Sequence, residues 1–313
     1  MTAPPARAGS STGVTVRYAL LALGIAGLST AGIFYSLANA PVVTMVAYRM
    51  VIAALLMVPV ALITRGSGAA QSGATFSRAE RWMTAGAGLL FALDLMIWAT
   101  SLKFTTVASA ALFVSTHPIF VALLAWLLFH ERPTPLIAAG IAIGIAGIAI
   151  VGWQDLRLSG RALIGDGLAA LAALAETGYL LVGRRVRQRI DAPRYALLVY
   201  ASCALFVCVT VLGTGTGFAL SLHDLMLAAG LAVVATVLGH TLVSLSLGYM
   251  PAAVVAVSFL AQPLMAAVFA LIFLGQHIPP ATVLGGLIAL AGIGVVAYGN
   301  EHRVPDADVI TEM

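Results

Sequence analysis

Apolar residues in this chain come in long blocks, without helical stripes or strand alternation. Ten blocks of about 20 residues each lie at about 18–38, 41–63, 82–102, 106–128, 134–152, 163–183, 195–215, 225–246, 252–274 and 280–299. Most connections between them are very short; 64–81 is the one sizeable internal polar stretch. A helix that is apolar all round belongs in a core or a bilayer, and ten such blocks exceed what one soluble core can cover. Closed barrels also cross bilayers, but their strands alternate apolar and polar over about 10 residues. The pattern therefore predicts an all-α integral membrane protein with ten transmembrane helices, consecutive ones antiparallel. Arg7 and Arg17 precede the first block and Ala38-Asn39-Ala40 looks like a cleavage site. Its apolar stretch is longer than a signal-peptide core, so it reads as an uncleaved first span.

Composition agrees. Of 313 residues, 61% are hydrophobic and only 9% charged, and the mean hydropathy is +1.04. Soluble domains carry about 25% charged residues, so soluble and disordered classes are excluded. The few charges are placed unevenly. With the N-terminus inside, twelve basic residues fall in inner segments and three (Lys103, Arg157 and Arg161) in outer ones. The positive-inside rule then puts both termini in the cytoplasm. The basic connection 184–194 orients the chain, or binds anionic membrane lipid. Cys203 and Cys208 share the seventh span at about 140° of helical rotation and point apart. The ends, 1–16 and 300–313, read as disordered tails.

Shifting the sequence by 145 residues brings its halves into register. Pro118 falls on Pro263, Pro135 on Pro280, Gly140 on Gly285, Gly147 on Gly292 and Phe104 on Tyr249. Two five-helix units follow, 17–153 and 162–299, joined by an outer linker at 154–161. Five crossings is odd, so the second unit enters from the opposite side. Inverted repeats of this kind belong to secondary transporters, with the substrate near the midplane between the repeats.

The stretch "SLKFTTVASAALFVSTHPIFVALLAWLLFHERPTPLIAAGIAIGIAGIAIVG" resembles the EamA-type repeat of the drug/metabolite transporter superfamily. "SLGYMPAAVVAVSFLAQPLMAAVFALIFLGQHIPPATVLGG" is similar to a weaker second copy, with Gln276 and His277 in place of the Glu-Arg pair. "VVTMVAYRMVIAALLMVP" resembles the second span of that family, Arg49 included. Among ten-helix members the chain most resembles the YddG-type exporters of aromatic and other neutral amino acids. The resemblance implies a transporter of the bacterial inner membrane with a small-molecule substrate. "LAALAETGYLLVGRR" further resembles the first span of the small multidrug-resistance branch. That likeness implies that Glu176 carries proton and substrate in turn.

Polar residues deep in a span cost about 2.5–3.5 kcal/mol on insertion scales and are functional candidates by default. Five lie near helix centres: Arg49, Asp94, His117, Glu176 and Gln262. Arg49 either holds a substrate carboxylate or pairs with Asp94. Asp94 shares a helix face with Trp98 and Ser101, and accepts a substrate ammonium, a proton or Arg49. Glu176 either exchanges a proton or stays protonated and hydrogen-bonded. His117-Pro118 and Gln262-Pro263 are equivalent positions. Each proline frees a carbonyl four residues back, on Val114 and Phe259, so both helices are expected to kink and to offer cation ligands. Tyr48, Trp98 and Tyr179 lie beside the charged positions and either form an aromatic wall around a substrate or pack as core. Gly140, Gly144 and Gly147, with Gly285, Ala289 and Gly292, make small-residue stripes, for packing within a monomer or for a homodimer.

The expected function is export of amino acids or similar small metabolites by alternating access, secondary active or facilitative. Proton-coupled export of cationic drugs is the alternative. No metal-ligand cluster, nucleophile motif, cofactor motif or ATP-binding motif occurs. No enzyme, cofactor, metal or nucleic-acid partner is expected.

Overall fold

The computed structural model describes residues 11–63, 77–129, 133–186, 192–240, 242–243, 258 and 260–301. Every described element is helical. In order they are α1 (Ser11–Ser29), α2 (Ala31–Leu37), α3 (Val42–Ile63), α4 (Arg78–Ser101), α5 (Val107–Val114), α6 (His117–Phe129), α7 (Pro135–Leu158), α8 (Gly160–Val186), α9 (Ala192–Thr214) and α10 (Leu222–Gly230). A π-helical stretch (Leu231–Leu238), α11 (Ala261–Leu274) and α12 (Pro280–Glu301) follow. Seven of these segments are long and apolar enough to cross a membrane, α1 and α2 counting as one. Shorter apolar helices stand where the fourth, eighth and ninth spans were expected: α5 with α6, α10 with its π continuation, and α11.

The starts are built into the sequence. Ser77 and Glu80 form a reciprocal capping box at α4, which satisfies two of the free amides of a helix N-terminus. Thr106 caps α5, Thr134 caps α7 with Pro135 just inside, and Ser221 caps α10. Gly275 closes α11 in the left-handed region at φ 63°, where a β-carbon is disfavoured.

The surface inverts the soluble pattern. Leu55, Ile63, Leu205, Leu212, Ile272 and Leu284 are exposed, whereas Arg49, Asp94, Asp155 and Asp166 are buried. A polar interior under an apolar exterior is what lipid requires. The protein is a multi-pass membrane protein. The main core joins α3, α4 and α9 to the π-helical stretch through Met45, Met50, Phe91, Val199, Val207 and Leu231. Between apolar helices in lipid, close van der Waals packing replaces the hydrophobic effect, and glycine permits it. Along α7 and α12 the backbones nearly touch. A β-carbon on Gly140 would lie 2.9 Å from the Gly292 carbonyl oxygen, and one on Gly147 would lie 2.6 Å from that of Gly285. The small-residue stripes are thus used within the chain.

Two boundaries differ from the sequence expectation. α1 starts at Ser11, before the expected first span. The linker expected at 154–161 is almost wholly helical: α7 runs to Leu158 and α8 starts at Gly160. Ser159 makes the corner by donating its amide to Asp155 and accepting from Ala162. Asp155, which would solvate a loop, is instead buried and accepts from the Ser109 hydroxyl, and Asp166 on the first turns of α8 is buried and accepts from the Thr105 hydroxyl. Cys203 and Cys208 are free thiols, as their rotation on one helix implies. Most of the polar stretch 64–81, and Arg187 and Arg189 of the basic connection, lie outside the described residues.

Candidate functional site

Arg49 is the centre of the buried polar group. It sits on α3, 3% exposed. Its Nε donates to Thr236 Oγ1 at 2.8 Å, and its Nη1 donates to Tyr35 Oη at 3.3 Å. The guanidinium also lies 5.9 Å from the Tyr35 ring centroid, within cation–π range. Arginine stays charged in any protein environment, so this is a fixed positive charge inside the bundle.

Thr236 is placed by the π-helical stretch. Its hydroxyl donates to the carbonyl of Leu231, five residues back, at 3.0 Å, and so keeps its lone pairs for Arg49. π turns are rare and concentrate at functional sites. Tyr35 stands on the short helix α2, which restarts after a break at Thr30. The Thr30 hydroxyl donates to Gly27 O at 2.6 Å. The Tyr35 ring meets Trp98 edge-to-face at 6.1 Å, and Trp98 Nε1 donates to Ala110 O at 3.3 Å.

Two carboxyl groups share this interior. Asp94 of α4 is 6% exposed and lies within electrostatic reach of both Arg49 and Glu176. Glu176 of α8 sits with Oε2 3.6 Å from His117 Nδ1. The groups thus follow one another through the interior: Arg49, Asp94, Glu176, His117. Among the described residues, Arg49 and Asp94 make no direct ion pair.

His117 begins α6. The fourth span is broken rather than bent: α5 ends at Val114, and Ser115 and Thr116 turn back onto Ala111 and Phe113. Pro118 lies in the first turn of α6, where a missing amide costs nothing. Thr177 of α8 donates to His117 O at 3.3 Å, which ties the break to the helix that carries Glu176. Pro263 also lies in the first turn of its helix, α11, three positions after Leu260. The carbonyl of Gln262 accepts from Ser29 Oγ at 3.1 Å. Phe259, the expected source of a freed carbonyl, lies outside the described residues.

The eight expected binding residues separate. Arg49, Asp94, Trp98, His117 and Glu176 come together. Tyr179 stacks on Phe91 at 4.9 Å, one layer behind them. Gln262 lies beside α1, with no hydrogen bond or ion pair among the described residues joining its side chain to the Arg49 group. Tyr48 goes elsewhere: its hydroxyl donates to Phe218 O at 2.9 Å in an exposed position. Neighbours on a helix point about 100° apart, so Tyr48 cannot share the direction of Arg49. Tyr35 and Thr236 are site residues that sequence reasoning missed. Tyr35 has no helical spacing to Arg49, and a threonine in an apolar helix commonly satisfies its own backbone.

Above Tyr35 lies a cavity of about 440 Å³, lined by Tyr35, Met45, Ala99, Leu102, Lys103 and Gln276 among others. It opens at the end of the bundle where α4 turns into α5 and α11 into α12. Gln276 also accepts from the amide of Val107, joining those two turns beside the mouth.

Comparison with known proteins agrees with this architecture. Residues 14–153 and 163–298 each match the EamA-like transporter family. An uncharacterized transporter of Archaeoglobus fulgidus is 24% identical over 260 residues, covering 82% of this chain and 87% of its own length. A solved crystal structure of a protein with 19% identity superposes with a TM-score of 0.60, covering 93% of this chain and 99% of that one. At that identity the likeness is one of fold.

Proposed function

The chain belongs to the EamA-like transporter family, and from that premise we propose that it exports amino acids, aromatic or neutral, or similar small metabolites. It is a membrane transporter and not an enzyme. The observation that carries the substrate reading is the charge arrangement beneath the cavity. An amino acid is a zwitterion and needs an anion partner and an ammonium partner a few ångströms apart. Arg49, with Tyr35 and Thr236 holding its fork, offers the first; Asp94 and Glu176 offer the second. Tyr35 and Trp98 give an apolar or aromatic side chain two ring surfaces beside the charges.

The mechanism we propose is alternating access between two inverted five-helix units, 17–153 and 162–299, in the bacterial inner membrane with both termini cytoplasmic. The α7–α12 seam supports the symmetry. Gly140 meets Gly292 while Gly147 meets Gly285; the 145-residue shift carries one contact onto the other, as a two-fold axis between the helices requires. The helix starts just before Pro118 and Pro263 fall at equivalent positions and in this reading serve as the bending points. In this topology the cavity opens to the outer face.

The test is purified protein in liposomes with a panel of radiolabelled neutral and aromatic amino acids, with and without a pH gradient. Asp94→Asn and Glu176→Gln keep shape but remove charge. Losing one hydrogen bond to a charged group costs about 1.5–3 kcal/mol, so each variant is expected to slow amino-acid movement by about 10- to 100-fold. No movement of any amino acid, or movement unchanged in both variants, would sink the reading. A second reading, proton-coupled export of cationic drugs, draws on Glu176 beside His117. It predicts that a lipophilic cation and not an amino acid moves, driven by the gradient; the fixed charge of Arg49 stands against it.

A further inference from the structure

A second group of buried carboxyls lies away from Arg49, at the corner between α7 and α8. Asp155 is 4% exposed and Asp166 is 1% exposed. Ser109 Oγ donates to Asp155 Oδ2 at 2.8 Å, and Thr105 Oγ1 donates to Asp166 Oδ1 at 2.8 Å. The other oxygen of Asp166, Oδ2, is fully buried and has no donor. The carboxyl of Asp155 lies within reach of the Asp166 carboxyl.

Two ionised carboxylates cannot settle this arrangement. Both are acceptors only, so Oδ2 would be left without a partner beside a like charge in a dry site, and a buried polar atom without a partner is costly. No neighbouring cation relieves it. Of the charged groups on the surrounding elements, Arg157 lies over the Trp153 ring at 5.3 Å, Arg161 over the Phe104 ring at 5.8 Å, and Lys103 lines the cavity. His277 follows Gln276 on the α11–α12 turn. Among the described residues none of them makes an ion pair with either aspartate. One proton placed between the carboxyls removes every difficulty. It gives Oδ2 a hydrogen bond, cuts the charge of the pair from −2 to −1, and leaves the two hydroxyl donors in place.

We propose that Asp155 and Asp166 form a proton-binding site that holds one shared proton and ties the α7–α8 corner to the turn between α4 and α5. The backbone is built for the contact. A β-carbon at Gly165 would lie 2.7 Å from the amide nitrogen of Thr105, so α8 presses against the turn and delivers Asp166 to Thr105. The site is independent of the substrate and of Glu176. Release of the proton leaves two facing anions, which drives the corner and the turn apart at the end of the bundle where the cavity opens.

The experiment is infrared difference spectroscopy on the full chain in lipid nanodiscs at neutral pH, reading the carbonyl stretch of protonated carboxyl groups. Asp155→Asn and Asp166→Asn are each expected to remove one such band, because the asparagine amide then supplies the bond to the remaining carboxylate. The double variant is expected to remove one band and no more. Thr105→Val, which leaves both carboxyls intact, keeps it. No band lost in either single variant would overturn the proposal, and so would two bands lost in the double variant. Thermal stabilisation of the wild type by sodium or calcium chloride that Asp166→Asn abolishes would also overturn it, in favour of a metal cation. None of these readouts involves transport, so a failed amino-acid assay leaves this test intact.

Discussion

Replacing Gly147 by leucine is expected to abolish recovery of folded protein. A β-carbon there would lie 2.6 Å from the Gly285 carbonyl oxygen and closer still to the backbone of Ala289. The opposing atoms are backbone and cannot rotate away. Overpacking a tight core costs about 1–3 kcal/mol when side chains can adjust, and more when they cannot. Domains are stable by only about 5–15 kcal/mol. Fluorescence-detected size exclusion and thermal melting in detergent would read the loss, with Gly147→Ala intermediate. The control is Gly167→Ala, whose added β-carbon meets nothing within 4 Å. It is expected to melt no lower than wild type, since alanine favours a helix over glycine by about 1 kcal/mol. Monodisperse Gly147→Leu melting with the wild type would show that the seam is looser than described.

Removing Arg49 is expected to have the largest effect on transport that leaves the chain folded. Arg49→Met takes away the only buried cation among the described residues near Asp94 and Glu176. Truncating one partner of a buried charge arrangement costs about 3–5 kcal/mol, and a loss of that size in substrate binding corresponds to roughly 100- to 4,000-fold. Arg49→Lys is expected to fail nearly as fully. A lysine ammonium cannot reproduce the planar fork that reaches Thr236 and Tyr35 together. Pairing Arg49→Met with Asp94→Asn should restore thermal stability without restoring transport, because it removes the unmatched negative charge and the substrate partner alike. Uptake by the lysine variant within a few fold of wild type would mean that Arg49 acts as a simple point charge.

The blocks of hydrophobicity made the helical membrane fold legible, because lipid leaves no other use for 20 apolar residues in a row. The small-residue stripes likewise announced the α7–α12 seam. Sequence reasoning singled out the buried ionisable groups, since charge at membrane depth stands out against leucine and alanine. It lost the neutral ones. Tyr35 and Thr236 belong to helices that only the tertiary fold brings to Arg49, and neither is costly enough in lipid to call attention to itself. Tyr48 was misleading for a local reason: adjacency in sequence is not adjacency on a helix. Asp155 was taken for part of a linker and Asp166 passed unnoticed within the sixth span, because hydroxyl donors from a distant turn cannot be read from the corner itself.

The π-helical stretch at Leu231–Leu238 bears on which length changes this chain tolerates. Each π turn holds about one residue more than an α turn, the geometry of an insertion accommodated without breaking the ladder. Deleting one residue there would let the helix close in α form with the flanking segments kept nearly in phase, so the glycine faces at Gly230 and Gly239 would still lie against Phe34 and Leu28. The change falls between them: the Thr236 hydroxyl would lose the carbonyl of Leu231 five residues back, and with it the aim that meets Arg49. A deletion that conserves the fold would therefore disturb the buried polar group. Variation in length along this helix is confined to one surplus residue, whose place is fixed from both ends.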